Sequence, residues 1–329
     1  MQAYTINRIA PISVVRNLLC GCFTAMLLTV CIANASDCPA PSGLNSEYTD
    51  SNCDLLADPP EERSSLRNPD TLVWAYTPIE EPNIYAELFR PFTRYLEECT
   101  QRQIVYYPVQ SAQAQIDAFR RGRLHFAGFS TGATVKAVQQ AGAHPFAAKG
   151  TLEGIRRYNS IAIVSSSSTF SSLTELVGRK VAHTSYQSNS GHYAALHFFP
   201  NEGLEPNTDY DPIMTGGHGQ SILGLINGDY DMAVVASDVF DRMAERGRIN
   251  KSDFRILYSS PLFPTSSFAY AHNLDSTLVE QLQSCFFEFE FPPRMIKEFR
   301  GDNRFLPVQY DVDWLTVRRV IESGKAMQN

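Results

Sequence analysis

The sequence predicts an α/β protein built from two units, each a mixed or mostly parallel sheet flanked by helices. Three observations carry that reading. The chain has 329 residues, 43% hydrophobic and 19% charged, enough for two cores of ordinary globular composition. From Thr71 onward, short apolar runs alternate with runs of helical spacing. A second alternation of the same kind starts near Tyr158.

In the first unit "TLVWAYTP" reads as a buried strand, followed by a helix over 84–99 with Leu88, Phe92, Tyr95 and Leu96 on one face. "QIVYYPV" is the next strand. Ser111 can cap a helix that runs to Arg121 and stops at Gly122. "LHFAGFS" is a third strand and 131–140 a third helix. This order predicts parallel strands with helical crossovers. In the second unit "YNSIAIVS" is a strand, "SSSSTFSS" a polar loop, "SLTELVG" a short helix and "KVAHTS" a strand. Ser188 or Ser190 can cap the helix in "SNSGHYAALHFF". "GQSILGLINGDYDMAVVAS" reads as helix, Gly228 turn and strand, and "RILYSSPLFP" as a strand leading back out. Residues 275–290, 292–300 and 311–323 are expected to be helical.

Before Thr71 the chain is different. Arg8 and Arg16 precede the apolar run "NLLCGCFTAMLLTVCIA", which ends at Ala33-Asn34-Ala35, so residues 1–35 read as a cleaved export signal. Residues 36–70 are polar and irregular. Without the signal the chain has 26 basic and 35 acidic residues, net −9, which argues against nucleic acid as a partner. Cys20, Cys22 and Cys31 leave with the signal, whereas Cys38, Cys53, Cys99 and Cys285 remain. Four cysteines in an oxidising compartment suggest two disulfides with three possible connectivities. The favoured pairing is Cys38–Cys53, stapling the polar extension, with Cys99–Cys285. No Cys-x-x-Cys or His/Cys cluster suggests a metal, and no phosphate-binding glycine loop follows a strand, so neither metal nor cofactor is expected.

Strand ends followed by hydroxyl-rich helix starts recur at 130–134, 188–192 and 216–221. Helix N-termini carry unpaired N–H groups and the positive end of the dipole, so three around one cleft would suit an anion. One of them, Gly128-Phe129-Ser130-Thr131-Gly132, also matches the G-x-S-x-G elbow of serine hydrolases. Six histidines downstream could act as a base, yet nothing upstream resembles the hydrolases' HGGG segment, so catalysis is not expected.

Taken together, residues 71–300 resemble the periplasmic substrate-binding proteins of phosphonate, phosphite and phosphate ABC importers. The resemblance lies in the order of "PFTRYLEECTQRQIVYYPV", "IDAFRRGRLHFAGFS", "RRYNSIAIV", "SNSGH", "TGGHGQSILGLINGDYDMAVVASDVFDRMAERGRI" and "YSSPLFP". It implies a two-lobed periplasmic-binding-protein clamp of type-II-like form. Lobe I would be 71–156 plus 263–329, and lobe II 157–262. It implies an exported, non-catalytic, monomeric solute-binding protein that holds a small oxyanion and delivers it to an ABC permease. Alternatives are a sensor subunit signalling to a membrane receptor, or a secreted hydrolase using Ser130.

Position by position, the resemblance implies anion contacts from Ser188, Asn189 and Ser190, from the N–H groups of Gly191 and His192, from His218 in "GGH", and from Tyr158 at the lobe crossing. Asp238 lies near an acidic position that selects amino-bearing ligands, and Tyr76 would face the cleft. At the third strand's end the family has an aromatic residue and then Phe-Gly-Pro. Here Gly128 implies a lost aromatic wall, with hydroxyls gained at Ser130 and Thr131 and a wider, more polar pocket.

Overall fold

The computed structural model describes Cys38, residues 43–77 and residues 82–326. The expected export signal lies outside them. Among the described residues no helix is long and apolar enough to cross a membrane. The first part of the chain forms β1 (Thr71–Tyr76), α1 (Pro82–Leu88), α2 (Arg90–Thr100), β2 (Gln103–Tyr106), α3 (Ala112–Arg120), β3 (Phe126–Phe129), α4 (Thr131–Ala141), β4 (Ala143–Thr151) and β5 (Gly154–Ile155). The helix expected over 84–99 is two helices because Pro91 has no N–H and its ring would meet the carbonyl four residues back. Ser111 caps α3 as anticipated, its hydroxyl accepting the Ala114 N–H at 3.1 Å.

The middle of the chain forms β6 (Arg157–Tyr158), β7 (Ser160–Ser165), β8 (Val181–His183), α5 (Ala194–Phe198), β9 (Ile213–Met214), α6 (His218–Asn227), β10 (Met232–Ala236), α7 (Ser237–Glu245), β11 (Phe254–Ser259) and β12 (Phe263–Pro264). The return adds β13 (Ser267–Ala271), α8 (Ser276–Glu288), α9 (Pro293–Glu298), β14 (Arg304–Pro307), α10 (Tyr310–Asp313) and α11 (Leu315–Ala326).

Two mixed sheets result. The first has the order β14-β4-β13-β3-β1-β2, with β5 paired to β4. Within it β1 is parallel to β2 and β3, while β13 runs antiparallel between β3 and β4. The second has the order β11-β7-β10-β8-β9, and a separate two-stranded ribbon pairs β6 with β12 where the chain passes between the sheets. Strands before Arg157 and after Pro264 therefore share the first sheet, and those in between share the second.

The segment after Pro264, expected to be mainly helical, contributes β13 and β14. Neither has the long β-branched run that marks a strand from sequence. β4 was also missed: its sequence AHPFAAKGT is rich in Ala and includes Pro145. The register with β13 shifts between Phe268 and Ala269, opposite that proline, as expected for a residue that cannot donate to a ladder.

Each sheet has its own core. That of the first is aromatic, with Trp74 stacked on Phe126 at 5.4 Å and Phe92, Phe268 and Phe286 packed around them. The second core contains Ile163, Val235 and Tyr193, and takes in Val135 and Val138 of α4 together with Trp314, Val317 and Ile321. The C-terminal helices, expected in lobe I, pack on α4 of that lobe and also on α5 of the other. Part of the extension joins the same core through Leu55, and the Asn45 N–H donates to the Gln139 carbonyl. The extension is irregular but docked.

Disulfides Cys38–Cys53 and Cys99–Cys285 are both present, the second tying α2 to α8 across 186 residues. A cross-link over so long a loop restricts the unfolded chain strongly. Replacing Cys99 and Cys285 together by Ala is expected to lower unfolding free energy by about 2–5 kcal/mol, measured by urea denaturation. A loss below about 1 kcal/mol would contradict it.

Candidate functional site

A cleft of about 270 Å³ lies between the two sheets. Strand ends and helix starts from both sides build it. From the first sheet come Tyr76 and Thr77 after β1, Ser130 and Thr131 at the start of α4, and Lys149 on β4. From the second come the 184–190 loop, His218 at the start of α6 and Asp238 on α7. Of the residues expected at a ligand, Tyr76, Ser130, Thr131, Tyr158, Ser188, Asn189, Ser190, His218 and Asp238 line this cleft.

Gly191 and His192 do not line it. Ser188 caps the wide π-type turn Asn189–Tyr193, and its Oγ accepts the Gly191 N–H at 3.0 Å. That N–H is therefore committed to the cap. A side chain at 191 would collide with Thr184, so the glycine is a packing requirement. His192 points into the second core, its Nδ1 2.9 Å from Nδ1 of His183, whose Nε2 meets the Tyr210 hydroxyl at 2.9 Å.

The remaining side chains differ in what they have free. Thr131 is buried and its hydroxyl is occupied: it donates to the Pro264 carbonyl at 3.0 Å and accepts from the Tyr158 hydroxyl at 3.1 Å. Burial pushes the Tyr158 phenol up, keeping it a donor. Ser190 and Asn189 bond to the same phenol. The Ser130 hydroxyl caps nothing, leaving it available to the cleft. His218 Nδ1 accepts the Ala236 N–H at 3.0 Å, which puts the proton of the neutral ring on Nε2 and makes that atom a donor. Thr184 Oγ1, Asn189 Oδ1 and Thr265 Oγ1 are buried at the cleft without hydrogen-bond partners. Buried polar groups are costly unless paired.

Charge at the cleft is closely matched. Burial would raise the Asp238 carboxyl, but Arg242 at 3.1 Å, His218 and the Val239 N–H hold it below the usual range. Arg156 reaches Asp302 at 2.9 Å and Arg246 reaches Glu298 at 2.5 Å. Arg300 meets both Asp241 and Glu245 at 3.1 Å. The Arg246 and Arg300 pairs join the end of α7 to α9 and the turn after it, across the mouth of the cleft.

One sequence expectation changes here. The space at Gly128 is filled by the Tyr76 ring, which a Cβ would strike, with Phe268 alongside. The aromatic wall is relocated to position 76, so no widening follows there. Ser130 has φ −63° and ψ 163°, a relaxed N-cap, unlike the strained elbow that exposes a hydrolase nucleophile. Lys149 was not anticipated at all. It lies in an Ala-rich stretch that gives no strand signal, so nothing in the sequence assigned it to a wall.

Residues 74–314 match the family described as ABC transporter, phosphonate, periplasmic substrate-binding protein. The chain is 22% identical over 243 residues to the phosphate-import protein PhnD of Mycolicibacterium smegmatis, covering 70% of this chain and 75% of that protein. A Pseudomonas aeruginosa binding protein of an ABC phosphonate transporter superposes with a TM-score of 0.69 at 17% identity, over 78% of this chain and 87% of the other. A Prochlorococcus marinus protein in complex with methylphosphonate gives 0.68 at 16% identity, over 79% and 99%.

The buried histidine pair generates a pH dependence. Burial lowers His192 to about 4, with Lys136 adding to the effect, and burial together with His192 holds His183 well below its ordinary value. Both rings are neutral when folded but take protons in the unfolded chain below about pH 6.5. Their stabilising contribution is complete above that pH and is lost as the pH falls toward 4. The melting temperature is expected to drop between pH 7 and pH 4.5, and His192→Gln to reduce that drop. An identical drop in the variant would contradict this.

Proposed function

The chain belongs to the family of periplasmic substrate-binding proteins of phosphonate ABC transporters, and on that premise we propose that it is an exported binding component that holds a phosphonate-, phosphite- or phosphate-type oxyanion between its lobes. The observation that supports this most directly is the donor-rich lining shared by both sheets. Ser130 offers a free hydroxyl from one side and Ser188 a hydroxyl from the other, where His218 also lines the wall. The N-terminus of α6 brings the positive end of its dipole to the same wall. Asn189 Oδ1 is an unpaired acceptor among these donors, which suits an oxyanion that still carries a P–OH proton.

Such a site needs no net positive field. Hydrogen bonds to a charged ligand are worth about 1.5–3 kcal/mol each, so three or four can hold an anion on a chain of net negative charge. The contacts come from both lobes, so the ligand favours the closed arrangement by its differential affinity for it. The Arg246–Glu298 and Arg300–Asp241 pairs across the cleft mouth assist, each as a partly exposed pair worth about 1 kcal/mol or less and weakened by salt. A closed, loaded binding protein is what an ABC permease would receive.

Methylphosphonate, phosphite and phosphate are the ligands to test, by thermal shift of the mature chain. Binding at one hundred times Kd stabilises by about 2.7 kcal/mol. Ser130→Ala is expected to weaken binding by roughly tenfold or more, a loss of about 1.5–3 kcal/mol, without altering the unliganded melting temperature. No shift with any oxyanion, or covalent labelling of Ser130 by a fluorophosphonate, would overturn the proposal. Arg300→Ala is expected to weaken binding by about fivefold or less at low salt and to have a smaller effect at high salt. A salt-independent loss would remove the pair from the closing mechanism.

A further inference from the structure

Every arginine lining the cleft has a carboxylate partner, but Lys149 does not. Its ammonium is buried on β4, with the residue only 5% exposed. It donates to the Tyr76 hydroxyl at 2.9 Å and to Ser266 Oγ at 2.6 Å. An ammonium has three N–H donors, and among the described residues the third has no acceptor. The faces of Phe299, Tyr76 and Phe268 lie 4.9, 5.2 and 5.9 Å from Nζ. These rings offset part of the lost hydration but bring no counter-charge. The nearby carboxylate of Asp302 is engaged by Arg156. Asp302 also feels the Lys149 charge, but it is shared with Arg156 and makes no hydrogen bond to the ammonium, so this buried cation is incompletely matched and poised for a charge supplied from the cleft.

A second unfinished group stands on the same wall. Thr265 Oγ1 is buried without a partner and is adjacent in sequence to Ser266, which Lys149 grips. The size of the cleft points the same way. At about 30 Å³ per water-sized volume, 270 Å³ exceeds what a bare tetrahedral oxyanion fills. The hydroxyls of Ser130 and Ser188 form one pole, and Lys149 with Thr265 forms another.

We propose that Lys149 and Thr265 form a second anionic subsite, so that the preferred ligand is a phosphonate carrying a further anionic group, such as a carboxylate, a few atoms from phosphorus. The proposal rests on the binding function inferred above and specifies its ligand class. Tyr76 and Ser266 orient the ammonium, and the ligand's second anion accepts its third N–H.

The test is calorimetric titration of the mature chain with methylphosphonate, phosphonoacetate and 3-phosphonopropionate, together with phosphonoacetamide as the uncharged counterpart. At least one carboxylated phosphonate is expected to bind tenfold or more tighter than methylphosphonate, and phosphonoacetamide is expected to gain nothing. Lys149→Met should abolish that advantage while leaving methylphosphonate affinity within about threefold. Without ligand, Lys149→Met should melt no lower than the parent, because it removes a buried charge that has no ion-pair partner of its own. Methylphosphonate binding with no gain from either carboxylate would overturn this inference alone. Equal losses for all ligands in Lys149→Met would place Lys149 at the phosphonate itself, and a lowered unliganded melting temperature would make it structural. Either result overturns the second subsite. Binding of no phosphonate by the parent chain would overturn the function on which it rests.

Discussion

Thr131 holds the two halves of the molecule in register, and the shape of the cleft depends on its bonds. Its hydroxyl accepts from Tyr158 on one crossing strand and donates to Pro264 on the other. Its carbonyl accepts the indole N–H of Trp314 at 3.1 Å, between the two C-terminal helices. Four segments distant in sequence thus meet at one buried residue at the start of α4. The next residue explains why the approach can be so close. At Gly132 a Cβ would come within 2.5 Å of the Gln187 carbonyl, so the 187–189 loop can rest against the first turn of the helix only if that position is bare.

From this junction follows the division of labour among the hydroxyls. Thr131 and Tyr158 spend their hydrogen bonds on structure, whereas Ser130, one residue away, keeps its own free. The same economy governs charge. Carboxylates pair directly with Arg156, Arg242, Arg246 and Arg300, two of these bridging the mouth of the cleft, while the direct contacts of Lys149 are to hydroxyls and rings and Asp302 is shared with Arg156. An acidic chain can therefore receive an anion because local donors, rather than net charge, decide the potential inside the cleft.

Much of this was legible in the residue pattern. The strand–helix alternation, the Ser111 and Ser188 caps and the Gly122 and Gly228 stops are local signals, and local backbone chemistry decides them. What stayed hidden depends on distant partners. β4 and β13 are strands because neighbours on either side pair with them, and β14 because it pairs along β4, not because Ala, Ser and Pro favour extension. The docking of α11 on α4 and α5 is a tertiary choice that its amphipathic spacing could not direct. Gly128 looked like a missing wall because the ring that fills its space belongs to residue 76. His192 resembled a ligand by its place after a hydroxyl loop, but the π-type turn rotates it into the core, where His183 meets it.

A crystal structure of the mature chain grown with methylphosphonate tests the central claim most directly. The phosphonate oxygens are expected in the cleft between the sheets, within hydrogen-bond distance of Ser130 Oγ and Ser188 Oγ, with Thr131 still bonded to Tyr158 and Pro264. Phosphonate bound outside the cleft, phosphorus covalently attached to Ser130, or a cleft whose donors remain turned away from the ligand would contradict it.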